Sequence, residues 1–581
     1  MFLVSAPPPP QPIESRSRHR MGTEVTPPGP GEQDARGLVR FIEALLAGST
    51  LSRVRVILVL TVVGLCAFLP GFFSIPPIDR DEARYAQATK QMMEAGDYID
   101  IRFQNQPRYL QPVGIYWLHV AAARLTGTGV DAPIWVHRLP SLAGAILAVL
   151  LTWWVAMTLA GETAAFAAAL FMAASVLLGF EARDGKIDAV LLSTILGAIG
   201  FLARAYLSLP VTRVQAALFW VALAAGIMLK GPLILLVVGL TAVTLSWQDR
   251  SLAWLRALRL RSGFALMLLL VLPWLVAITV RSGGEFLQIA LGPSMLGKVA
   301  SGQQSHGLPP GTYLLSYWLT FWPASAFVIP AAPWIWRRRH DRPVRFCLAW
   351  IVPTWIAFEL IVTKLPHYVL PVYPAIATLL ALALVDGRRP NRPLAWVMTS
   401  GAVIYLALGA GLHFALEGWI SVAALIIAGS GAALFGWALH AKRLTPPAFA
   451  AVFATGAILL NGATFGLVVP SLESVWVVPR LMGAVVRQAN CPNPQIAAAG
   501  FHEPSLVFLG GTSTQLVFAP TAADFLQADG CRVAIVERRV EPEFLARLAT
   551  LGRHAVLRER VTGVSIGRLR RVDIGIYTAS P

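Results

Sequence analysis

Charged residues are scarce in this chain of 581 residues: Asp, Glu, Lys and Arg make up 14% of it, against about 25% in an average soluble domain. Hydrophobic residues make up 56%, and the mean hydropathy is +0.62. So little charge and so much apolar surface exclude an ordinary soluble globular protein. The composition therefore predicts an integral membrane protein.

Cysteine is also scarce, with four residues in the whole chain and none of the close spacings that bind zinc. Cys66 and Cys347 lie inside apolar runs and are predicted to be packing residues. The net charge of +17 could indicate nucleic-acid binding. However, the basic residues are distributed over short loops rather than gathered in one patch, which argues against a nucleic-acid partner.

Residues 1 to 48 lack an apolar run long enough to form a core. They are rich in Pro, Arg, Ser, Gly and Glu, which predicts a disordered cytoplasmic tail. The start, Met1-Phe2-Leu3-Val4, turns to prolines at once, so no signal peptide is expected there.

The region from 49 to 468 contains apolar windows of about 20 residues, and they predict about thirteen transmembrane helices. The windows lie near 54–73, 138–160, 163–180, 188–207, 214–230, 231–247, 263–281, 313–334, 344–362, 367–385, 394–416, 418–440 and 446–468.

The charge of the loops predicts how these helices are oriented, because Lys and Arg accumulate in short cytoplasmic loops. Alternate loops are basic: those near 250–261, 337–342, 388–392 and 442–443. Placing them in the cytoplasm puts the loops near 74–137, 181–187 and 282–312, and everything after about residue 469, on the outer side.

The first outer loop is about sixty residues long and opens with the charged run Ile78-Asp79-Arg80-Asp81-Glu82-Ala83-Arg84-Tyr85. Carboxylates beside an apolar span lose hydration unless a site holds them, so the run indicates function, although solvated flanking charges are a simpler reading. The spacing from Glu82 to about Ala95 suits an amphipathic helix. A second helix is predicted to lie in the membrane interface, with Tyr116 and Trp117 at headgroup level.

Other outer loops add acidic and basic groups. Asp188 lies at the mouth of a span and could simply cap that helix. Lys230, between two spans, could reach towards water or bind an anionic headgroup. Cations at the interface suit a phosphate, and carboxylates beside them suit an acceptor that must be oriented or deprotonated. Together they indicate transfer from a phosphate-linked donor.

Six sequence blocks, in this order, resemble the ArnT-like and protein mannosyltransferase-like glycosyltransferases of the GT-C superfamily. Together they cover about residues 50 to 385 and are fairly specific as a set. The blocks are Asp81-Glu82-Ala83-Arg84-Tyr85-Ala86, Arg108-Tyr109-Leu110-Gln111-Pro112, Asp188, Lys230-Gly231-Pro232, His306 with Pro309 and Tyr313, and Lys364-Leu365-Pro366-His367-Tyr368 with Pro371.

The resemblance implies an inverting enzyme of the bacterial inner membrane that moves a sugar from a polyprenyl-phosphate carrier to a lipid, glycan or protein acceptor on the periplasmic face. It implies that Asp81 is the catalytic carboxylate and Asp188 the second catalytic acidic position. Lys230, Lys298 and Tyr368 are implied to hold the carrier phosphate. The remaining residues implied to bind substrate are Glu82, Arg84, Tyr85, Arg108, Tyr109, His306 and Lys364.

The second block departs from the family pattern. ArnT-like members carry an acidic residue and a lysine before its proline, whereas this chain has Leu110-Gln111-Pro112. The family metal position therefore lacks its acidic ligand, so we predict no metal site and no cofactor, while a need for a divalent metal stays open. The aminoarabinose specificity of the family is not implied either.

The chain changes character from about residue 469 to the end. Segments 495–499, 506–509, 516–518 and 533–536 are predicted β-strands between turn residues, which indicates a small periplasmic α/β domain. Because an oxidising compartment permits disulfides, Cys491 and Cys531 are a candidate pair.

A transporter or flippase for a lipid-linked sugar is the alternative function. It would also have many helices and headgroup-binding lysines. However, we find no internal hydropathy repeat of the kind that marks paired transporter halves, and the distinctive charges lie in outer loops rather than at mid-span.

Overall fold

Helices dominate the fold because an apolar segment in a membrane must satisfy its backbone hydrogen bonds internally. The structure, a computed structural model, describes residues 53–292 and 308–580 apart from 442, 490, 566, 568 and 569. The predicted tail, Lys298 and His306 lie outside these residues. The helices are α1 Arg53–Phe68, α2 Asp81–Ala95, α3 Gly114–Leu125, α4 Ile134–Ala174, α5 Val176–Glu181, α6 Asp188–Tyr206, α7 Arg213–Lys230, α8 Leu233–Asp249, α9 Leu260–Arg281, α10 Glu285–Leu291, α11 Thr312–Thr320, α12 Val328–Arg337, α13 Arg342–Leu360, α14 Tyr373–Val385, α15 Arg392–Glu417, α16 Val422–His440, α17 Pro446–Ala463, α18 Val477–Gln488, α19 Pro504–Gly510, α20 Ala519–Gln527 and α21 Glu541–Thr550.

Within the described residues, nine helices are long and apolar enough to cross a membrane, and a bent pair from Thr312 to Arg337 would make ten. Every predicted window falls on a helix, but α1 has 16 residues and α8 has 17, which is short for a span. The windows near 138–160 and 163–180 are joined end to end in α4, whose backbone leaves the helical conformation at Gly161, with φ 78° and ψ 174°. These short and merged helices account for the difference from thirteen, and the prediction of a polytopic helical membrane protein is confirmed.

The long helix α4 forms the centre of the bundle and packs against α1, α6, α14 and α17. Its approach to α6 is close, because a Cβ placed on Gly144 would lie 2.8 Å from the Cα of Val190. This packing brings the start of α6 near the start of α4.

The first loop folds into two helices and a short hairpin of β1 Arg102–Phe103 with β2 Gln106–Pro107. The amphipathic helix predicted from Glu82 to about Ala95 is α2. The Tyr116 ring is buried against Tyr85, at 5.5 Å between centroids, while Trp117 is 42% exposed. That the two rings lie at headgroup level stays a prediction.

The C-terminal region is a five-stranded mixed sheet of order β4-β3-β5-β7-β6. Strands β3, β4 and β5 are parallel, and β7 pairs antiparallel with β5 and β6. Apolar cores lie on both of its faces. The strands are β3 Gln495–Ala499, β4 Gln515–Val517, β5 Arg532–Glu537, β6 Ala555–Ser565 and β7 Arg570–Ala579.

One predicted strand is wrong. Residues 506–509 belong to α19, which begins at Pro504, a residue favoured in the first turn of a helix. A short apolar run has the same sequence pattern in a buried helix as in a buried strand. Cys491 and Cys531 form a disulfide, with their Cα atoms 6.1 Å apart, beside the first residues of β3 and β5.

Candidate functional site

The charged run of the first loop places Asp81 at the start of α2 and Arg84 one turn later. Their side chains lie 3.8 Å apart and are 49% and 33% exposed, respectively. An acidic residue is favoured in the first helical turn by the helix dipole. Burial lowers the pKa of the Arg84 guanidinium, and the positive charges of Arg108 and Arg80 act in the same direction. The two side chains therefore form an accessible carboxylate and cation in a region rich in positive charge.

Beneath this pair lie Tyr85, Arg108 and Tyr116. The guanidinium of Arg108 stacks 4.8 Å from the centroid of the Tyr85 ring, and its Nε donates to the Tyr116 hydroxyl at 3.2 Å. All three side chains are buried. The second block therefore contributes one positively charged side chain, Arg108, to this group.

A second group forms where α6 begins and α7 ends. Lys230 Nζ donates to Asp188 Oδ1 at 2.5 Å and lies 5.2 Å from the centroid of the Tyr368 ring. His367 Nε2 lies 3.7 Å from Asp188 Oδ2. Ile187 occupies the N-cap position of α6, so the interpretation of Asp188 as a simple helix cap is wrong.

Charges from both groups affect the pKa of one residue, Tyr85. Burial raises the pKa of the Tyr85 hydroxyl well above its ordinary value, and the negative charges of both Asp81 and Asp188 contribute to this rise. Arg108, from the second block, thus lies against Tyr85 of the helix that carries Asp81 and Arg84. Lys230 and Tyr368 form the second group, with Asp188.

Sequence reasoning missed a third group, in the loop after α5. Lys186 Nζ lies 2.9 Å from Asp184 Oδ2 and 3.4 Å from Glu181 Oε1, and His367 Nδ1 lies 3.7 Å from the same Glu181 oxygen. Burial raises the pKa of Glu181 to about 8 and that of Asp184 to about 7. The available signal was the concentration of four charges, on Glu181, Arg183, Asp184 and Lys186, within six residues between two apolar spans.

Glu181, Asp188 and His367 are close enough to share a metal ion, with their ligand atoms within 4.8 Å of one another. However, the ammonium of Lys230 already donates to Asp188, and that of Lys186 lies on Glu181. Two cations at these carboxylates fit a divalent metal poorly. We therefore assign no metal to this group.

Glu82 has a different role from the one predicted. Its side chain is buried, and its two oxygens accept from Arg138 Nε at 2.6 Å and Nη2 at 2.8 Å. They also accept from the amides of Ile78 and Gly185, both at 2.8 Å. These bonds occupy both carboxylate oxygens and join the first loop to the loop after α5, which indicates a structural role for Glu82.

Tyr109 and Lys364 also bond within the protein framework rather than towards the site. Tyr109 donates to Asp100 Oδ1 at 2.7 Å. Lys364 is buried, and its ammonium donates to the backbone carbonyls of Glu359 at 2.8 Å and Ile361 at 2.5 Å. These contacts do not support the prediction that the two side chains bind substrate.

Comparisons with known proteins give relatives of one kind, although no protein-family model matches the chain. It is 27% identical over 338 residues to the undecaprenyl phosphate-alpha-4-amino-4-deoxy-L-arabinose arabinosyl transferase of Pseudomonas paraeruginosa, covering 56% of this chain and 60% of that protein. It is also 27% identical over 320 residues to the protein of the same name from Yersinia pestis, covering 53% and 55%. The chain thus spans about three fifths of the length of the curated relatives it matches.

The fold is similar to that of ArnT from Cupriavidus metallidurans in its crystal structure bound to undecaprenyl phosphate. The TM-score is 0.71 at 19% identity, over 93% of this chain and 98% of ArnT. The resemblance to ArnT-like proteins that the motifs indicated is therefore confirmed. At this identity the structural likeness establishes the fold.

Proposed function

We propose that this multi-pass membrane protein is an inverting glycosyltransferase that moves a sugar from a polyprenyl-phosphate carrier to an acceptor. The observation that carries the proposal is the accessible Asp81 carboxylate beside a converging set of cations. The relatives, which are named as transferases that use an undecaprenyl-phosphate-linked sugar, support it, as does the fold shared with an ArnT that binds undecaprenyl phosphate.

The charge of the site matches the proposed donor. Asp81 and Asp188 oppose Arg84, Arg108 and Lys230, which leaves one formal positive charge among these five residues. A polyprenyl-phosphate sugar is a phosphodiester with one negative charge, which Arg and Lys bind through charge-assisted hydrogen bonds. The site thus complements the phosphate group without a metal.

The chemistry follows from this placement. An acceptor hydroxyl attacks the anomeric carbon, its proton passes to Asp81, and the bond between that carbon and the phosphate oxygen breaks. The lipid phosphate leaves with the electron pair of the broken bond, and the cations stabilise the charge that develops on it. Attack opposite the leaving group inverts the anomeric centre. In this scheme Asp188 acts through Lys230, which it holds in place.

We propose that the reaction takes place on the periplasmic face of the inner membrane. The basic loops all fall on the side opposite the first loop, which supports this orientation. The domain with the Cys491–Cys531 disulfide packs against α2, which fits an oxidising compartment on the side of the site. The proposed acceptor is lipid A, another envelope glycan or a protein.

The decisive experiment is a transfer assay with the purified full-length protein in nanodiscs, a panel of undecaprenyl-phosphate sugars that includes 4-amino-4-deoxy-L-arabinose, and purified lipid A. We expect Asp81→Asn to lower kcat by about 10²–10⁴ because the proton acceptor is lost. The KM for the donor should change less than about threefold, because the cations remain.

The matched control is Asp131→Asn, an exposed aspartate of the same loop, which should retain full activity. An Asp81→Asn protein that transfers sugar at the wild-type rate would refute the role of Asp81. A flippase would instead move labelled donor across vesicles without forming a glycosidic bond, so the same preparation in vesicles distinguishes the alternative.

A further inference from the structure

The residue directly before the proposed proton acceptor has a sparsely populated backbone conformation. Arg80 has φ 73° and ψ −105° and occupies the N-cap position of α2. A positive φ is unfavourable for a residue with a Cβ and persists only where surrounding contacts hold it. Since Asp81 follows at once, the direction of its carboxylate depends on what holds Arg80.

The contacts that hold this turn come from the C-terminal domain. The Arg80 guanidinium donates to the backbone carbonyl of Gly567. On the other side, Asp79 Oδ1 accepts from the backbone amide of Ser505 at 3.1 Å. These partners are more than 400 residues away in the sequence, on two separate segments of the domain.

The same domain also holds the helix that follows the turn. Gln87 Nε2 donates to the Thr512 hydroxyl at 2.8 Å, and that hydroxyl donates to Glu94 Oε2 at 2.8 Å. Ala86 packs with Ile134 and Phe508 in a small apolar cluster. Helix α2 is therefore fixed along its length against α19 and the loop after it.

We propose that the C-terminal domain positions the reaction site: the Ser505 amide and the Gly567 carbonyl hold the Asp79–Arg80 turn in the conformation that presents Asp81. This inference rests on the proposed glycosyltransferase function. Asp79 and Arg80 are positioning residues, since neither needs to touch the substrate. The domain is then part of the catalytic apparatus rather than an appended module.

Two substitutions of Arg80 distinguish the effect of losing the bond to Gly567 from the effect of changing the backbone conformation of the turn. Arg80→Ala loses the bond to Gly567 but keeps a Cβ, so the turn should relax away from its positive φ. Arg80→Gly loses the same bond, yet glycine adopts this φ without a steric penalty. We expect Arg80→Ala to lower kcat about 10- to 100-fold with an unchanged donor KM, and Arg80→Gly to recover most of that loss.

A second pair tests the other contact. Asp79→Ala removes the acceptor of the Ser505 amide, whereas Asp79→Asn keeps an oxygen at the same place. We expect a loss of kcat of about 5- to 50-fold in the first variant and rescue in the second. Arg553→Ala, an exposed arginine of the same domain, is the matched control and should behave as wild type.

Hydrogen exchange does not require sugar transfer, so it tests the positioning of the turn independently of the proposed function. Hydrogen exchange of the amides of residues 78–85 should become faster in Arg80→Ala and Asp79→Ala, and stay close to wild type in Arg80→Gly and Asp79→Asn. Wild-type protein that is inactive with every donor, but shows this exchange pattern, would refute the function and leave the positioning intact. Unchanged exchange and kcat in both alanine variants, or an Arg80→Gly variant as impaired as Arg80→Ala, would overturn the positioning.

Discussion

Buried charges in this protein are held mostly in pairs of opposite sign, as Lys230 is with Asp188 and Glu82 with Arg138. The half-buried Asp79 differs, because its neighbour is another carboxylate, Glu503, which is itself buried and accepts from Ser565 at 2.8 Å. Burial, and then the charge of Glu503, raises the pKa of Asp79 to about 7. The Ser505 amide and the more distant Arg84 oppose the rise without cancelling it. We therefore expect pH to act on the contact between Asp79 and the C-terminal domain.

The C-terminal domain should bind the Asp79–Arg80 turn less tightly as the pH rises. Between pH 4 and 7 the docked state holds a proton on Asp79 that an exposed aspartate would have lost, so the stability conferred at acidic pH is lost as the pH passes through about 7. The Asp79→Asn variant carries no such charge. We expect it to exceed wild type at pH 8 by roughly 1–3 kcal/mol and to match it near pH 5. Thermal unfolding of both proteins from pH 5 to 8 is the measurement, and a wild-type midpoint that rises over this range would contradict the sign.

Among the helices and loops, the Glu82–Arg138 pair connects the start of α2, the start of α4 and the loop after α5. Arg138 is fully buried at the start of α4 and also donates to the carbonyls of Phe72 at 3.1 Å and Ile75 at 2.7 Å. Glu82 reaches the loop after α5 through the Gly185 amide. One ion pair thus sets the spacing between the loop that carries Asp81 and the loop that leads into Asp188.

Removing either member of this ion pair should lower the free energy of unfolding. Arg138→Met leaves the Glu82 carboxylate buried without its cation, and a lone buried charge costs about 3–5 kcal/mol. Glu82→Gln leaves the guanidinium without its anion and should cost a similar amount. Because the double variant buries neither charge, we expect it to be more stable than either single variant. Unfolding of the four proteins in one detergent forms a double-mutant cycle, and additive losses would contradict the coupling.

The sequence was sufficient to predict the membrane spans and helix α2, but not every strand of the C-terminal sheet, since β6 and β7 were not predicted. It also did not always show what the residues contact. Apolar windows located the spans. The blocks led to residues that form two sets of contacts, Asp81 with Arg84, and Lys230 with Asp188 and Tyr368. Local pattern could not show that Glu82 faces Arg138, because that contact spans 56 residues of chain. It also could not assign residues 506–509 to a helix, since a buried helix and a buried strand are equally apolar. The missed residues depend on tertiary contacts that one sequence does not show.

In the whole chain, stability is unequally distributed between a large helical bundle and a small sheet domain. The bundle buries apolar side chains on many helices, whereas the C-terminal domain has about a hundred residues and depends on two modest cores. Its disulfide closes a loop with a sequence separation of 40 residues. If this domain positions Asp81, sugar transfer should be lost when the domain unfolds, while the bundle is still intact.

Removing the disulfide tests this consequence. By constraining the unfolded chain, a bridge of this span contributes about 2–4 kcal/mol. We therefore expect Cys491→Ser with Cys531→Ser to lower the temperature at which transfer is lost, with little change in the helical signal of the bundle. Reductant should lower this temperature in wild type and leave the double variant unchanged. Cys66→Ser, which removes an exposed free thiol, is the control. The prediction would be contradicted if the double variant lost transfer only at the temperature where the bundle itself unfolds.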